Sequence, residues 1–152
     1  MDLDLATMHV QASFSGLTGT TTASHIHCCT AISGLPPTDP STVTNVGVAT
    51  QTPSFAGFPL GVTAGTMDTT FDMTLATSYN PAFVTASGGT IDGAYTAFLN
   101  GLAAGQAYFN IHTSFRSGGE IRGFLFQVPE PSGLLLATIG LTGFAFRRRR
   151  KS

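Results

Sequence analysis

Along the first fifteen residues apolar and polar side chains take turns. Ala6, Met8, Val10, Ala12 and Phe14 fall on one face, with Thr7, His9, Gln11 and Ser13 between them. A period of two is the pattern of a half-buried β-strand. Gly16 and Gly19 close that strand, and residues 20–30 read as a second one containing His25-Ile26-His27. Residues 34–41, Gly-Leu-Pro-Pro-Thr-Asp-Pro-Ser, read as a loop, and Val43, Val46 and Val48 as another short strand. The Pro-, Gly- and Phe-rich stretch from Gln51 to Gly65 is too irregular for a regular element.

Thr66 to Leu75 alternates again and places Phe71, Met73 and Leu75 together; Asn80-Pro81 then begins a turn or a short helix. Between Gly89 and Gly105 the period changes. Ile91, Ala94, Tyr95, Phe98, Leu99 and Leu102 follow helical spacing, with Thr90 in the N-cap position. Ala107 to Thr113 and Glu120 to Val128 read as a β-hairpin turning over Arg116-Ser-Gly-Gly119. The expected fold is therefore all-β, an antiparallel sandwich with one short inserted helix. Met1 is followed by Asp-Leu-Asp-Leu, without the basic and apolar regions of a signal peptide. The chain opens inside a strand, so the expectation is that further strands and an export signal precede it.

Composition fits this picture and adds a charge asymmetry. Apolar residues make up 42% of the 152-residue chain and charged ones only 10%, which is low for a soluble domain at about 25%. Up to Pro131 there are eight acids against two arginines, Arg116 and Arg122, a net charge of −6. An acidic body excludes nucleic acid as a partner, because phosphate neutralisation needs Lys and Arg. The remaining cations are the block Arg147, Arg148, Arg149, Arg150 and Lys151.

That block ends a tail of three parts: Val128-Pro129-Glu130-Pro131-Ser132, an uncharged apolar run from Gly133 to Phe146, and the basic terminus. As a helix the run spans about 21 Å at about 1.5 Å per residue, short of the roughly 30 Å hydrocarbon core of a bilayer. Five cations behind it act as a stop on the cytoplasmic side. Pro129 and Pro131 keep the preceding segment extended and set the tail apart from the domain. The expected division is a domain over 1–127 and a C-terminal hydrophobic helix within 128–152. The order of parts resembles a PEP-CTERM sorting signal. That resemblance implies processing by an exosortase-type enzyme, attachment to the membrane through the C-terminal segment or release from it, and delivery to the Gram-negative surface or extracellular matrix. Such a tail is an address that is retained or cleaved.

In the body, His25 and His27 stand two apart on one strand and project to one face, and Tyr108, Asn110 and His112 share a face of a later strand. Two readings follow. In one, the histidines hydrogen-bond the hairpin turn or a carboxylate such as Glu120. In the other, His25, His27 and His112 converge as neutral imidazoles on copper or zinc, although no fourth ligand stands out. Glu120 and Arg122 point the same way and are expected to pair, contributing under about 1 kcal/mol if exposed. Cys28 and Cys29 are the only cysteines. Their Cα atoms should lie about 3.8 Å apart, below the usual disulfide range of about 4.4–6.8 Å. A vicinal disulfide would be strained and would not staple the fold. Free thiols, intermolecular pairing and soft-metal ligation beside His27 are the alternatives. Catalytic Gly-x-Ser-x-Gly, Cys–His and phosphate-loop patterns are absent from the sequence.

Phe14-Ser-Gly-Leu-Thr-Gly19, Ala23-Ser-His-Ile-His27, Gly105-Gln-Ala-Tyr-Phe-Asn-Ile-His-Thr113 and Gly118-Gly-Glu-Ile-Arg-Gly-Phe-Leu125 together resemble the CHRD domain, with Ser117 where that family often has Pro. The resemblance covers about residues 3–127 and implies a β-rich exported module with no agreed enzymatic activity. His25-Ile26-His27 is also similar to the copper-binding strand of copper/zinc superoxide dismutases, an immunoglobulin-like sandwich; this is a likeness of fold only. The expected function is a non-enzymatic surface or matrix module with no resident cofactor and an unidentified extracellular ligand. The alternative is a copper- or zinc-binding envelope domain.

Overall fold

The computed structural model describes residues 1–2, 5–31 and 45–126. The loop expected over 34–41, Val43, and the whole tail with Pro129, Glu130, Pro131, its apolar run and Arg147 to Lys151 lie outside the described residues. Among the described residues five strands occur in chain order: β1 (Thr7–Phe14), β2 (Thr21–His27), β3 (Gly65–Asp72), β4 (Tyr108–Thr113) and β5 (Ile121–Phe124). They form two antiparallel sheets, β1-β3 and β2-β4-β5. Between β3 and β4 lie a 3₁₀ turn at Ala76–Ser78 and two helices, α1 (Pro81–Ala86) and α2 (Ile91–Ala103).

The two periods seen in the sequence account for the core. Alternation buries Met8, Val10 and Phe14 from β1 against Met67 and Phe71 from β3. The second sheet contributes Ile26 and Ile111, and α2 contributes Ala94 and Phe98, all to one apolar cluster. Burial of this kind stabilises by about 25 cal/mol per Å² of apolar surface. α2 starts where Thr90 accepts the Gly93 N–H at 3.1 Å, the cap expected from the sequence. It stops where Gly105, at φ +64°, sends its N–H to Leu102 O at 3.0 Å, a conformation glycine adopts without steric cost. The turn or helix foreseen at Asn80-Pro81 is α1, with Asn80 Oδ1 accepting the Ala82 N–H.

Two expectations change. The last alternating strand stops at Asp72, whose carboxylate accepts the Thr74 N–H at 2.8 Å and hydroxyl at 2.6 Å. The chain turns there, so Met73 is buried while Leu75 is exposed. The strand foreseen through Val46 and Val48 shrinks to isolated bridges, His27 to Val48 and Thr50 to Tyr79. The irregular stretch after Gln51, with no regular element as expected, supplies core all the same: Phe55 packs tilted against Phe71 at 5.1 Å and Phe58 stacks on Phe14 at 5.3 Å.

Candidate metal centre

β2 pairs antiparallel with β4 so that His25 faces Asn110, His27 faces Tyr108 and Ala23 faces His112. β5 continues the sheet, with Arg122 opposite Asn110 and Phe124 opposite Tyr108. Ile26 and Ile111 look into the core, so His25, His27, Tyr108, Asn110 and His112 share the other face. A polar sheet face is ordinarily wet. Here His25 and His27 keep only 6% and 5% of their surface, and Asn110 keeps none.

The cover comes from two pieces of backbone. Residues 46–55 run along the free edge of β2, through bonds from Cys28 N to Gly47 O, Ala49 N to Ile26 O and Phe55 N to Ser24 O. Thr50 Oγ1 accepts the Ile26 N–H at 2.9 Å. Beyond β4, Gly119 N bonds Arg116 O and shapes the hairpin turn. Tyr108, Phe124 and Val46 make a small apolar patch beside the histidines. His27 stacks on Tyr108 at 4.7 Å, and the Arg122 guanidinium sits 4.8 Å over that ring.

These pieces place a backbone carbonyl at the Nδ1 of each histidine: Pro53 O on His25 at 3.2 Å, Val46 O on His27 at 2.6 Å and Ser117 O on His112 at 2.6 Å. A carbonyl only accepts, so each Nδ1 carries the proton and donates it. In the neutral ring the Nε2 is then a bare lone pair. The three ligand atoms lie within 4.8 Å of one another, and His25 Nε2 and His112 Nε2 are 2.8 Å apart. Two lone pairs at that distance repel unless a cation, a proton or a metal ion, lies between them. Bonds of about 2.0–2.1 Å at a tetrahedral angle put donor atoms about 3.3 Å apart, so small ring movements bring this set onto one ion.

The electrostatics favour neutral ligands. Burial lowers the His25 pKa to about 4, aided by His112 and His27, while the Pro53 carbonyl pulls the other way. Burial also lowers that of His27, against the Val46 carbonyl, with His112 and Arg122 adding to the fall. The second nitrogen of each ring is fixed by a hydrogen bond, as in metal-ligating histidines generally.

The structure therefore brings together His25, His27 and His112. It also adds Asn110, whose amide Nδ2 lies 3.2 Å from His112 Nε2 and 3.4 Å from His27 Nε2. Its place on the alternating face of β4 was the available signal. The carbonyls of Val46, Pro53 and Ser117 have no side-chain signature. The hairpin turn does hold His112, whereas Glu120 is engaged elsewhere. Its carboxylate accepts from Thr18 N at 2.6 Å, Gly19 N at 3.2 Å and the Thr113 hydroxyl at 2.6 Å. Arg122 donates to Asn45 Oδ1 and Gly118 O, so the pairing expected between Glu120 and Arg122 is replaced by these bonds. Cys28 and Cys29 form the vicinal disulfide. Both sulfurs lie against Gly101 of α2, where any side chain would overlap them. The fourth histidine, His9, sits on the outer face of β1 bonded to Asp68 at 2.6 Å.

Among the described residues no helix is long and apolar enough to cross a membrane. Two family models match the sequence: one described as the CHRD domain over residues 1–125, and one described as the PEP-CTERM protein-sorting motif over residues 127–150. No curated protein and no solved structure matches.

Proposed function

Taking as premise that the chain belongs to the CHRD domain family and ends in a sorting motif that implies export to the bacterial envelope by an exosortase-type system, we propose that it is a surface module that holds one copper or zinc ion. His25, His27 and His112 are its ligands. One observation carries this reading: three Nε2 atoms converge while every Nδ1 is committed to a backbone carbonyl. Such a set suits borderline metals that favour imidazole. The module binds and presents the ion without turnover. The apolar run before Arg147 acts as a membrane anchor until processing, in a Gram-negative envelope or its matrix. We read the two sheets as a variant of the immunoglobulin-like sandwich shared by copper/zinc superoxide dismutases.

The test is titration of the purified full chain with Cu²⁺ and Zn²⁺ against a competing chelator. One ion per chain is expected. Replacing any one histidine by alanine should weaken binding by more than the roughly 10–100-fold that loss of a supporting hydrogen bond costs. If neither ion binds, or if the three single variants bind like the parent, the reading fails.

A further inference from the structure

Resting on the metal reading, we infer that Asn110 is the fourth ligand of the centre and turns its amide oxygen to the ion when the site is loaded. The three imidazole nitrogens and the end of the Asn110 amide make a four-cornered set. Three of its edges measure 2.8, 3.2 and 3.4 Å, close to the about 3.3 Å edge of a tetrahedron with bonds of about 2.0–2.1 Å. The imidazole nitrogens themselves lie within 4.8 Å of one another, so the small ring movements that bring the three histidines onto one ion bring that ion against this fourth corner.

Without an ion, that corner is correctly an N–H₂ group. All three atoms around it are acceptors: His27 Nε2, His112 Nε2 and Gly118 O at 3.1 Å. A donor there relieves the crowding of lone pairs. Once an ion takes those lone pairs, the same N–H₂ points hydrogens at a cation and has no electron pair to offer. Rotation of the amide by half a turn exchanges donor for acceptor within the same volume.

Two features permit the exchange. Gly118 O keeps a donor afterwards, because Arg122 also bonds it at 2.9 Å. The outer atom of the amide, Oδ1, is buried without a hydrogen-bond partner, so no existing bond holds the amide in one orientation from that side. Gly119, at φ +114°, packs against it, and a Cβ there would overlap the amide. The glycine therefore leaves the room in which either end of the amide fits. Each histidine depends on its one carbonyl at Nδ1; Asn110, whose bond to Gly118 O has a second donor in Arg122, is the one that can adapt.

The experiment follows the Asn110 side chain in the full chain, with asparagine labelled at ¹³Cγ and ¹⁵Nδ2, during Zn²⁺ titration. One ¹³Cγ resonance should shift downfield in step with zinc occupancy, and Asn110→Asp identifies it by its loss. Asn110→Leu, of similar size but without a donor oxygen, should weaken zinc binding by more than the roughly 10–100-fold that loss of a supporting hydrogen bond costs. Asn110→Asp should bind at least as tightly as the parent. If the ¹³Cγ signal stays put while zinc binds and His25→Ala abolishes binding, the fourth-ligand inference falls and the three-histidine site stands. If zinc fails to bind the parent, both fall. The resonance on the parent chain decides even where Asn110→Leu does not fold.

Discussion

The two faces of the β2-β4-β5 sheet are built by the same strands and buried by different means. On the inner face Ile26 and Ile111 meet Phe98 of α2 and Met8 and Val10 of β1 in one apolar cluster. That contact is held by loss of apolar surface to water, tolerates any partner of suitable shape, and needs no directional bond. On the outer face His25, His27 and Asn110 are buried just as deeply, but under backbone. A buried polar group needs a partner, and here the partners are the carbonyls of Val46, Pro53, Ser117 and Gly118. Those carbonyls satisfy the donors and leave the acceptors facing one another. The inner face is complete as it stands; on the proposed reading a metal ion completes the outer face.

Substitutions at neighbouring residues of β2 separate these roles. Ile26 is 3% exposed, and truncating such a core side chain costs about 2–5 kcal/mol. Ile26→Ala should therefore lower the urea midpoint of the metal-free chain strongly while the folded fraction keeps its zinc affinity. His25→Ala, one residue earlier, should do the reverse. It removes one donor from Pro53 O, a loss of about 1–3 kcal/mol at most, and abolishes tight zinc binding. Equal destabilisation by both variants in metal-free unfolding curves would mean that the outer face is a second core.

The division between the faces was legible in the sequence because alternation along β2 and β4 is enough to sort their residues. His25, His27 and His112 were readable as one face for that reason, and so was Asn110, although an amide between histidines reads as filler until its distances are known. What covers that face was not legible. Val46, Pro53 and Ser117 act through main-chain oxygens, which every residue has. Phe55 and Phe58 reach the core from a stretch with no period. Leu75 leaves the alternation because Asp72 bonds Thr74, a local competition between side chain and strand. Glu120, just ahead of β5, and Arg122 within it find better partners elsewhere, since backbone N–H groups of a distant loop do not show in spacing.

A smaller effect is expected at Gly119, which touches the outer face alone. A side chain there meets both an unfavourable φ of +114° and the buried Asn110 amide. Gly119→Ala should cost about 1–3 kcal/mol and weaken zinc binding as well, because relief of the overlap must move Asn110. A variant that loses stability with zinc affinity intact would place the strain in the turn and detach Gly119 from the centre.

The smallest expected effect lies where the hairpin is tied to the rest of the chain. Glu120 accepts bonds from the Thr113 hydroxyl and from the backbone of Thr18 and Gly19, joining the β4–β5 turn to the loop between β1 and β2. The Thr113 bond chiefly, then those from the loop, lowers its pKa from 4.5 to about 2. A carboxylate held down in the folded state stabilises it above the unfolded pKa, and that contribution fades as pH falls through the folded one. The window is thus from about 4.5 down to about 2. Comparing parent with Glu120→Gln removes the titration of every other group, including the buried histidines. The urea midpoints of the two metal-free chains should differ most near neutrality and draw together through that window. A gap that stays constant down to about pH 2 would show that the bonds hold without the charge. The loop and hairpin would then be joined by hydrogen bonding alone, as the carbonyls join the outer face.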